Sequence, residues 1–230
     1  MKSGDPGLRT VHRAFGLLAV LARTGVEMSL SELARTCSLP VSTVSRLLAT
    51  LVDIGFVEHA RAGRYGPGAH LARIGFQALQ KYKAYRLPDS HLAQLVQASG
   101  ETANLSVRVD DANAMYLRQV PGPRALRHAS WAGRFLPLEG TAAGSALLGR
   151  LNADGYAVKR HSPEVDFTAI AAPVRDQHGE IVAALSISGP SARISDADLA
   201  RLGRLVAERA RAASRDLGMS AEAPPAAQGN

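Results

Sequence analysis

The sequence predicts an α+β protein: an N-terminal winged helix-turn-helix, a linker helix, and a C-terminal antiparallel sheet flanked by helices. Three observations carry this expectation. Between Val11 and Ile54, apolar residues recur at helical spacing in three short segments, and a hairpin follows. Beyond Glu101, several runs alternate apolar and polar residues with the period of two of half-buried strands. Positive charge gathers at one end: residues 1–83 hold 11 Lys and Arg against 5 Asp and Glu, whereas residues 84–230 hold 16 against 15. A basic third of the chain suits a polyanionic partner, although a solvated basic face has the same composition.

A chain of 230 residues accommodates two modest domains, and 46% hydrophobic against 20% charged residues supplies packed cores. Aromatic residues make up only 5%, so the cores rest on Leu, Val, Ile and Ala. The single cysteine, Cys37, excludes an internal disulfide and a cysteine-built metal site, and a small buried role is expected for it. No run of about 18 apolar residues is present to span a membrane, and residues 1–10 lack the apolar stretch of a secretory signal. The expectation is a cytoplasmic protein without cofactor, metal or membrane partner.

Residues 1–7 are expected to form a disordered tail. A helix over 11–23 gathers Val11, Ala14, Phe15, Leu18 and Leu21 or Ala22 on one face, with Thr10 to cap it and Gly25 past its end. Ser29 and Glu32 make a capping box that opens a short helix to about Thr36. Pro40 disfavours helix at Leu39, and a third helix over 41–54 buries Val44, Leu47, Leu48 and Leu51 before Gly55 stops it. A hairpin around 61–64 completes a winged domain over 8–68. Residues 69–83 read as the linker helix. Within 84–218, helices are expected over 88–99, from about 140 to 148, and from Ser195 to about Leu217. Strands are expected over 101–109, 114–120, 126–130, 167–174 and 181–188. Residues 219–230, rich in Ala and Pro, are expected to be a second disordered tail.

A helix that enters a major groove must offer short polar side chains and an arginine near its N-terminal end. Ser42, Thr43, Ser45 and Arg46 do so, pointing away from the stripe of Val44, Leu47 and Leu51. Arg46 matches the bidentate pattern of a guanine edge, and the hydroxyls suit phosphates or bases. Helix capping is the competing role for Ser42 and Thr43, and a surface ion pair for Arg46. Arg61 and Arg64 beside Gly63 place two cations on the wing, suited to backbone or minor-groove contact.

These residues resemble the IclR family of bacterial transcription regulators. The resemblance is carried by residues 30–34, 39–51, 55–57 and 63–65 in the first domain, and by 134–138, 141–148, 170–174 and 184–190 in the second. It implies a GAF-like effector domain, and a homodimer or dimer of dimers bound to double-stranded DNA at a pseudo-palindromic operator. It also implies control by a small-molecule effector, a metabolic carboxylate or an amino acid. The chain departs from the family's pattern after Leu148, where only residues 149–154 precede Gly155-Tyr156-Ala157, so the effector domain is shortened. Lys159-Arg160-His161 stand where relatives carry acidic residues, and Ala169 where many carry cysteine.

A small carboxylate needs donors in a partly apolar cleft. Gly140, Thr141, Ala142 and Ala143 open a helix whose free N–H groups favour an anion. Ser186 and Ser188 share one strand face, which the resemblance turns toward the pocket. Trp131 and Leu138 are candidates for its apolar wall, with Lys159 and Arg160 as added charge. Close packing competes for the glycine-rich helix start, backbone bonding for the serines, and core or dimer interface for Trp131. The expected function is a ligand-responsive, DNA-binding transcription regulator, with the linker helix setting the spacing of two recognition helices. A ligand-independent regulator with a degenerate effector domain is the alternative. An enzyme with an accessory DNA-binding domain is remote, because no nucleophile elbow, phosphate loop or metal constellation occurs and His161 and His178 have no evident partner in sequence.

Overall fold

The computed structural model describes residues 6–123, 131–160 and 167–219. The strand expected over 126–130, His161 and most of both expected tails lie outside the described residues. The chain divides into two units, Met1–Lys81 and Tyr82–Asn230.

The first unit is built from α1 (Pro6–Thr24), β1 (Met28–Ser29), α2 (Leu30–Thr36), α3 (Val41–Asp53), β2 (Val57–His59), β3 (Arg64–Pro67) and α4 (Ala69–Leu79). Leu17, Leu18, Leu21, Leu33, Val44, Leu48, Leu51 and Val57 form its core. Helix α1 corrects two sequence expectations. It starts at Pro6, where a proline costs nothing because the first-turn N–H groups have no helical partner. Its core face is Leu17, Leu18 and Leu21, whereas Val11 and Phe15 are 52% and 64% exposed. The helix therefore carries two apolar stripes, and the periodicity selected a mixture of them. Strand β1, unforeseen in sequence because it is two residues long, joins the wing to give the order β1-β3-β2.

The capping box forms as expected. The Ser29 hydroxyl accepts from the Glu32 N–H at 3.3 Å while the Glu32 carboxylate accepts from the Ser29 N–H at 2.7 Å. That backbone bond is the main cause holding the Glu32 carboxyl below the usual carboxylate range. The tight turn between α2 and α3 places Ser38 in the left-handed region at φ 53° and closes with the Leu39 N–H donating to the Ala34 carbonyl at 3.0 Å. Helix α4 ends at Leu79, short of the expected residue 83, and a separate 3-10 turn covers Lys83–Arg86.

The second unit is a six-stranded antiparallel sheet in the order β6-β5-β4-β9-β8-β7. Its strands are β4 (Thr102–Arg108), β5 (Asn113–Val120), β6 (Phe135–Pro137), β7 (Ala157–Lys159), β8 (Phe167–Arg175) and β9 (Ile181–Pro190). Its helices are α5 (Ser90–Ser99), α6 (Ala142–Leu147) and α7 (Asp196–Asp216). Helix α6 packs on one sheet face, in a cluster with Ala114, Leu136, Leu138, Ala171 and Ala184. The alternate residues Leu105, Ile170, Leu185 and Ile187 are buried on the other face, where α5 and α7 contact each other and the sheet.

Candidate nucleic-acid interface and effector pocket

Helix α3 is held by Val44, Leu48 and Leu51, all buried, so its opposite edge is fixed outward. Ser42, Ser45 and Arg46 are exposed and Thr43 is half-buried. Pro40 occupies the N-cap without any side-chain cap bond, so Ser42 and Thr43 do not cap the helix. Among the described residues Arg46 has no ion-pair partner. The whole edge is uncommitted within the first unit, as a groove-reading surface must be.

The wing treats its two arginines differently. Arg61 sits at the tip, beside Ala62 and Gly63 with φ of 56° and 69°, and its exposed side chain has no partner among the described residues. Arg64 donates from Nε and Nη2 to the Glu27 carbonyl at 3.0 and 2.7 Å and pairs with Glu32 at 3.0 Å. Its guanidinium braces the wing against the capping box, which the sequence expectation of a DNA contact overlooked.

The start of α4 is bolted to the end of α3. The His70 Nδ1–H donates to the Ile54 carbonyl at 2.7 Å, and the His70 and Gly68 N–H groups donate to the Gly55 and Phe56 carbonyls at 3.1 and 2.8 Å. A methyl group at Gly68 would meet the Gly55 oxygen at 2.3 Å, so only glycine permits the approach.

In the second unit, the sheet face that α6 packs on also carries buried polar residues, Asn104, Ser186 and Ser188 among them. Register places Asn104 between Gln119 and Ser186, and Thr102 opposite Ser188. The Trp131 N–H donates to Gln119 Oε1 at 3.0 Å, Gln119 Nε2 to Asn104 Oδ1 at 3.1 Å, and Asn104 Nδ2 to Ser188 Oγ at 3.2 Å. Tyr116, Trp131 and Phe167 form one aromatic wall, with ring centroids 5.4 and 5.9 Å apart. Burial pushes the Tyr116 phenol up to about 12.

The other sequence candidates fall elsewhere. Leu138, Ala142 and Ala143 are buried in the α6 packing cluster. A methyl group at Gly144 would meet the Leu138 oxygen at 1.9 Å, so the small residues serve helix-to-strand packing there. The Thr141 hydroxyl is spent as the N-cap, accepting from the Gly144 N–H at 3.0 Å and donating to the Pro137 carbonyl at 2.8 Å. Gly140, at φ 75°, provides the left-handed turn into the cap. Arg160 donates to the Ile194 carbonyl at 3.0 Å and pairs with Asp196 at 2.6 Å, on the α7 side. Lys159 stands on the pocket face opposite Ala169 and is exposed. Asn104, Gln119, Tyr116 and Phe167 escaped the sequence reading. The signal for Asn104 was an uncharged amide in an alternating strand, where a solvent-facing position more often carries charge.

Sequence profiles decide the family. The IclR helix-turn-helix domain matches residues 10–61, and the bacterial transcriptional regulator IclR C-terminal domain matches residues 76–154 and 148–215. The chain belongs to the IclR family. It is a transcription regulator rather than an enzyme. IclR relatives include the acetate operon repressor of Salmonella typhimurium, 29% identical over 241 positions covering 89% of this chain and 88% of the relative. The Escherichia coli repressor AllR is 27% identical, covering 94% and 92%. Among solved IclR-type structures, that of Thermotoga maritima IclR superposes with a TM-score of 0.74 at 24% identity, covering 92% of this chain and 99% of that one. A Rhodococcus regulator follows at 0.69 and 25%, covering 91% and 98%. The two C-terminal matched segments overlap at residues 148–154, the connection between α6 and β7. That connection is self-contained here: Asn152 Oδ1 accepts from the Asp154 and Tyr156 N–H groups at 3.1 Å each. Among the described residues no helix is long and apolar enough to cross a membrane.

Proposed function

We propose that the chain is a cytoplasmic repressor that binds a pseudo-palindromic operator and changes its DNA affinity when a small-molecule effector enters the second unit. The observation that carries the DNA reading is the free edge of α3: Ser42, Ser45 and Arg46 lie exposed above a stripe that locks the helix. The Salmonella typhimurium and Escherichia coli relatives named above are repressors, and repression is extended from them. A homodimer or dimer of dimers is supported by exposed apolar residues on α1 and α4: Leu8, Val11 and Phe15 on the first, Ile74 and Phe76 on the second, each at least 45% exposed. Effector binding is supported by the polar residues Asn104, Ser186 and Ser188, buried on the sheet face that carries α6 beside the half-buried rings of Tyr116, Trp131 and Phe167.

Selection of bound sites from random DNA tests the proposal. The expected product has two half-sites about 34–36 Å apart, or a multiple of that. Arg46→Ala is expected to cost about 1–3 kcal/mol of specific binding and to relax the preference at one position. Salt-sensitive binding without any sequence preference contradicts the proposal. A ligand-independent regulator is the second reading, favoured by the short connection between α6 and β7. A thermal-shift screen of small acids and amino acids separates the two: tight operator binding with no shift for any compound selects the second.

A further inference from the structure

We infer that Val41 is a specificity-determining residue, its methyl groups packing on the C5-methyl of a pyrimidine in the major groove, that of thymine in unmodified DNA. The inference rests on the DNA-binding reading above and adds a base contact that the hydroxyls and Arg46 do not supply.

Val41 is the first residue of α3 and is 51% exposed. The core of the first unit closes without it: Val44, Leu48 and Leu51 are buried there, and Leu39, Leu47 and Val52 pack against them, but Val41 does not. Helix stability does not call for a valine there either. A β-branched residue forms helix less well than alanine, leucine or glutamate, and the helix dipole favours an acid in the first turn. The first turn of α3 has no acid, and Arg46 is the single charge within residues 41–52. An edge with one cation and no carboxylate suits a groove walled by phosphates. The apolar feature that a base pair presents in that groove is the C5-methyl of thymine, which an aliphatic side chain matches and a hydroxyl or guanidinium does not.

The rows of α3 put Val41 in a reading position. Residues four apart share a helix face. Val41, Ser45 and Ala49 form one row and Ser42, Arg46 and Thr50 the next, all exposed. The first row carries no charge and, beyond Val41, only small side chains, so the helix can lie close to base edges along it. In the second row the Thr50 hydroxyl donates to the Arg46 carbonyl at 3.3 Å and is spent on its own helix, which leaves Ser42 and Arg46 as the polar readers. The N-terminal residues of a recognition helix meet the bases, and helical side chains lean toward that end, so Val41 leads into the groove. At 1.5 Å per residue, Val41 and Arg46 are about 7.5 Å apart along the axis, or about two base-pair steps. A thymine about two base pairs from the guanine read by Arg46 is therefore expected in each half-site.

The full chain is used to select a site from random duplex DNA. Each thymine of that site is then replaced singly by deoxyuracil, which removes only the C5-methyl, and binding is titrated for the parent and for Val41→Ala. At one thymine per half-site, deoxyuracil is expected to weaken the parent about fourfold, the fold-change equivalent to about 0.8 kcal/mol for one methyl group taken out of contact. In Val41→Ala that penalty should shrink to less than about twofold while penalties at other positions persist. The melting temperature should not fall, because the side chain is exposed and alanine is the better helix former. Replacing cytosines by 5-methylcytosine separates the two sources of the methyl group: an effect that Val41→Ala abolishes only at methylated cytosine overturns the thymine assignment. Deoxyuracil penalties that are the same in parent and variant overturn the role of Val41 and leave the DNA-binding reading intact. Failure to select any site overturns that reading and the inference with it.

Discussion

The wing supplies the sharpest test of how sequence and structure divide its labour, because two arginines three residues apart are expected to fail in different ways. Arg61→Ala removes an exposed cation without an internal partner, so folding stability is expected to change by no more than about 0.5 kcal/mol. Operator affinity should fall, and the slope of log affinity against log salt should shrink by about one, as for the loss of one phosphate contact. Arg64→Ala removes a guanidinium that donates twice to the Glu27 carbonyl and pairs with Glu32. A bidentate bond of this kind contributes about 1 kcal/mol net. The contact with Glu32 adds a screened remainder, since the two side chains are 39% and 37% exposed. A loss of about 1 kcal/mol lowers the melting temperature of a unit of this size by roughly 4–8 °C. Thermal melts at two salt concentrations, with operator titrations over the same range, read both variants. An Arg64→Ala protein that melts like the parent and loses one unit of salt slope refutes the assignment of Arg64 as a brace.

Three further outcomes follow from close contacts and one depressed carboxyl. Gly203→Ala would drive a methyl group to 2.2 Å from the buried Tyr156 ring, so the second unit should lose about 1–3 kcal/mol by denaturant titration. Gly68→Ala collides with the Gly55 carbonyl and should lower both melting temperature and operator affinity, whereas Gly75→Ala, with nothing within 4 Å, should do neither. Asp176 is 2% exposed, and its carboxyl lies below the usual range first because Lys83 donates to it, then through the N–H groups of His178 and Glu180. Its folded value is below its unfolded value, so its stabilisation is present above about pH 4 and is lost as pH falls through the folded value. Lys83→Met should therefore destabilise by about 1 kcal/mol at neutral pH, the low end of the range because Lys83 is 56% exposed, and should flatten the acid limb of melting temperature against pH.

Legibility in the sequence followed the locality of the signal. The capping box at Ser29 and Glu32 and the stop at Gly55 involve neighbours in the chain, and both appear where their residue types demand. The edge of α3 was legible because one stripe of leucine and valine fixes the opposite side. The core face of α1 was not, since two apolar stripes share one helix and periodicity has no means to rank them. Strand β1 and the anchoring of Arg64 depend on partners about 30 residues or more away, and nothing local announces such pairings. The polar residues on the α6 face of the second sheet were half legible. Alternation put Ser186 and Ser188 on one face, as their register shows, but the relay through Gln119 and Asn104 exists only because β4 lies between β5 and β9.

A ligand in the second unit alters DNA affinity only by binding two states of the protein unequally. The covalent route between the units passes through α4, and the structure limits what α4 can transmit. Its start, Gly68 and His70, is pinned to Ile54, Gly55 and Phe56, the residues that directly follow α3, by three hydrogen bonds, over a contact that tolerates no side chain at Gly68. A reorientation of α4 therefore carries the C-terminal end of α3 with it, while Val44, Leu48 and Leu51 keep the recognition edge folded. In the proposed dimer, the quantity left to vary is the placement of one α3 relative to its copy, which is what the half-site spacing of an operator measures. A mechanism based on melting the helix-turn-helix would need a loose start to α4, and that start is held by three hydrogen bonds.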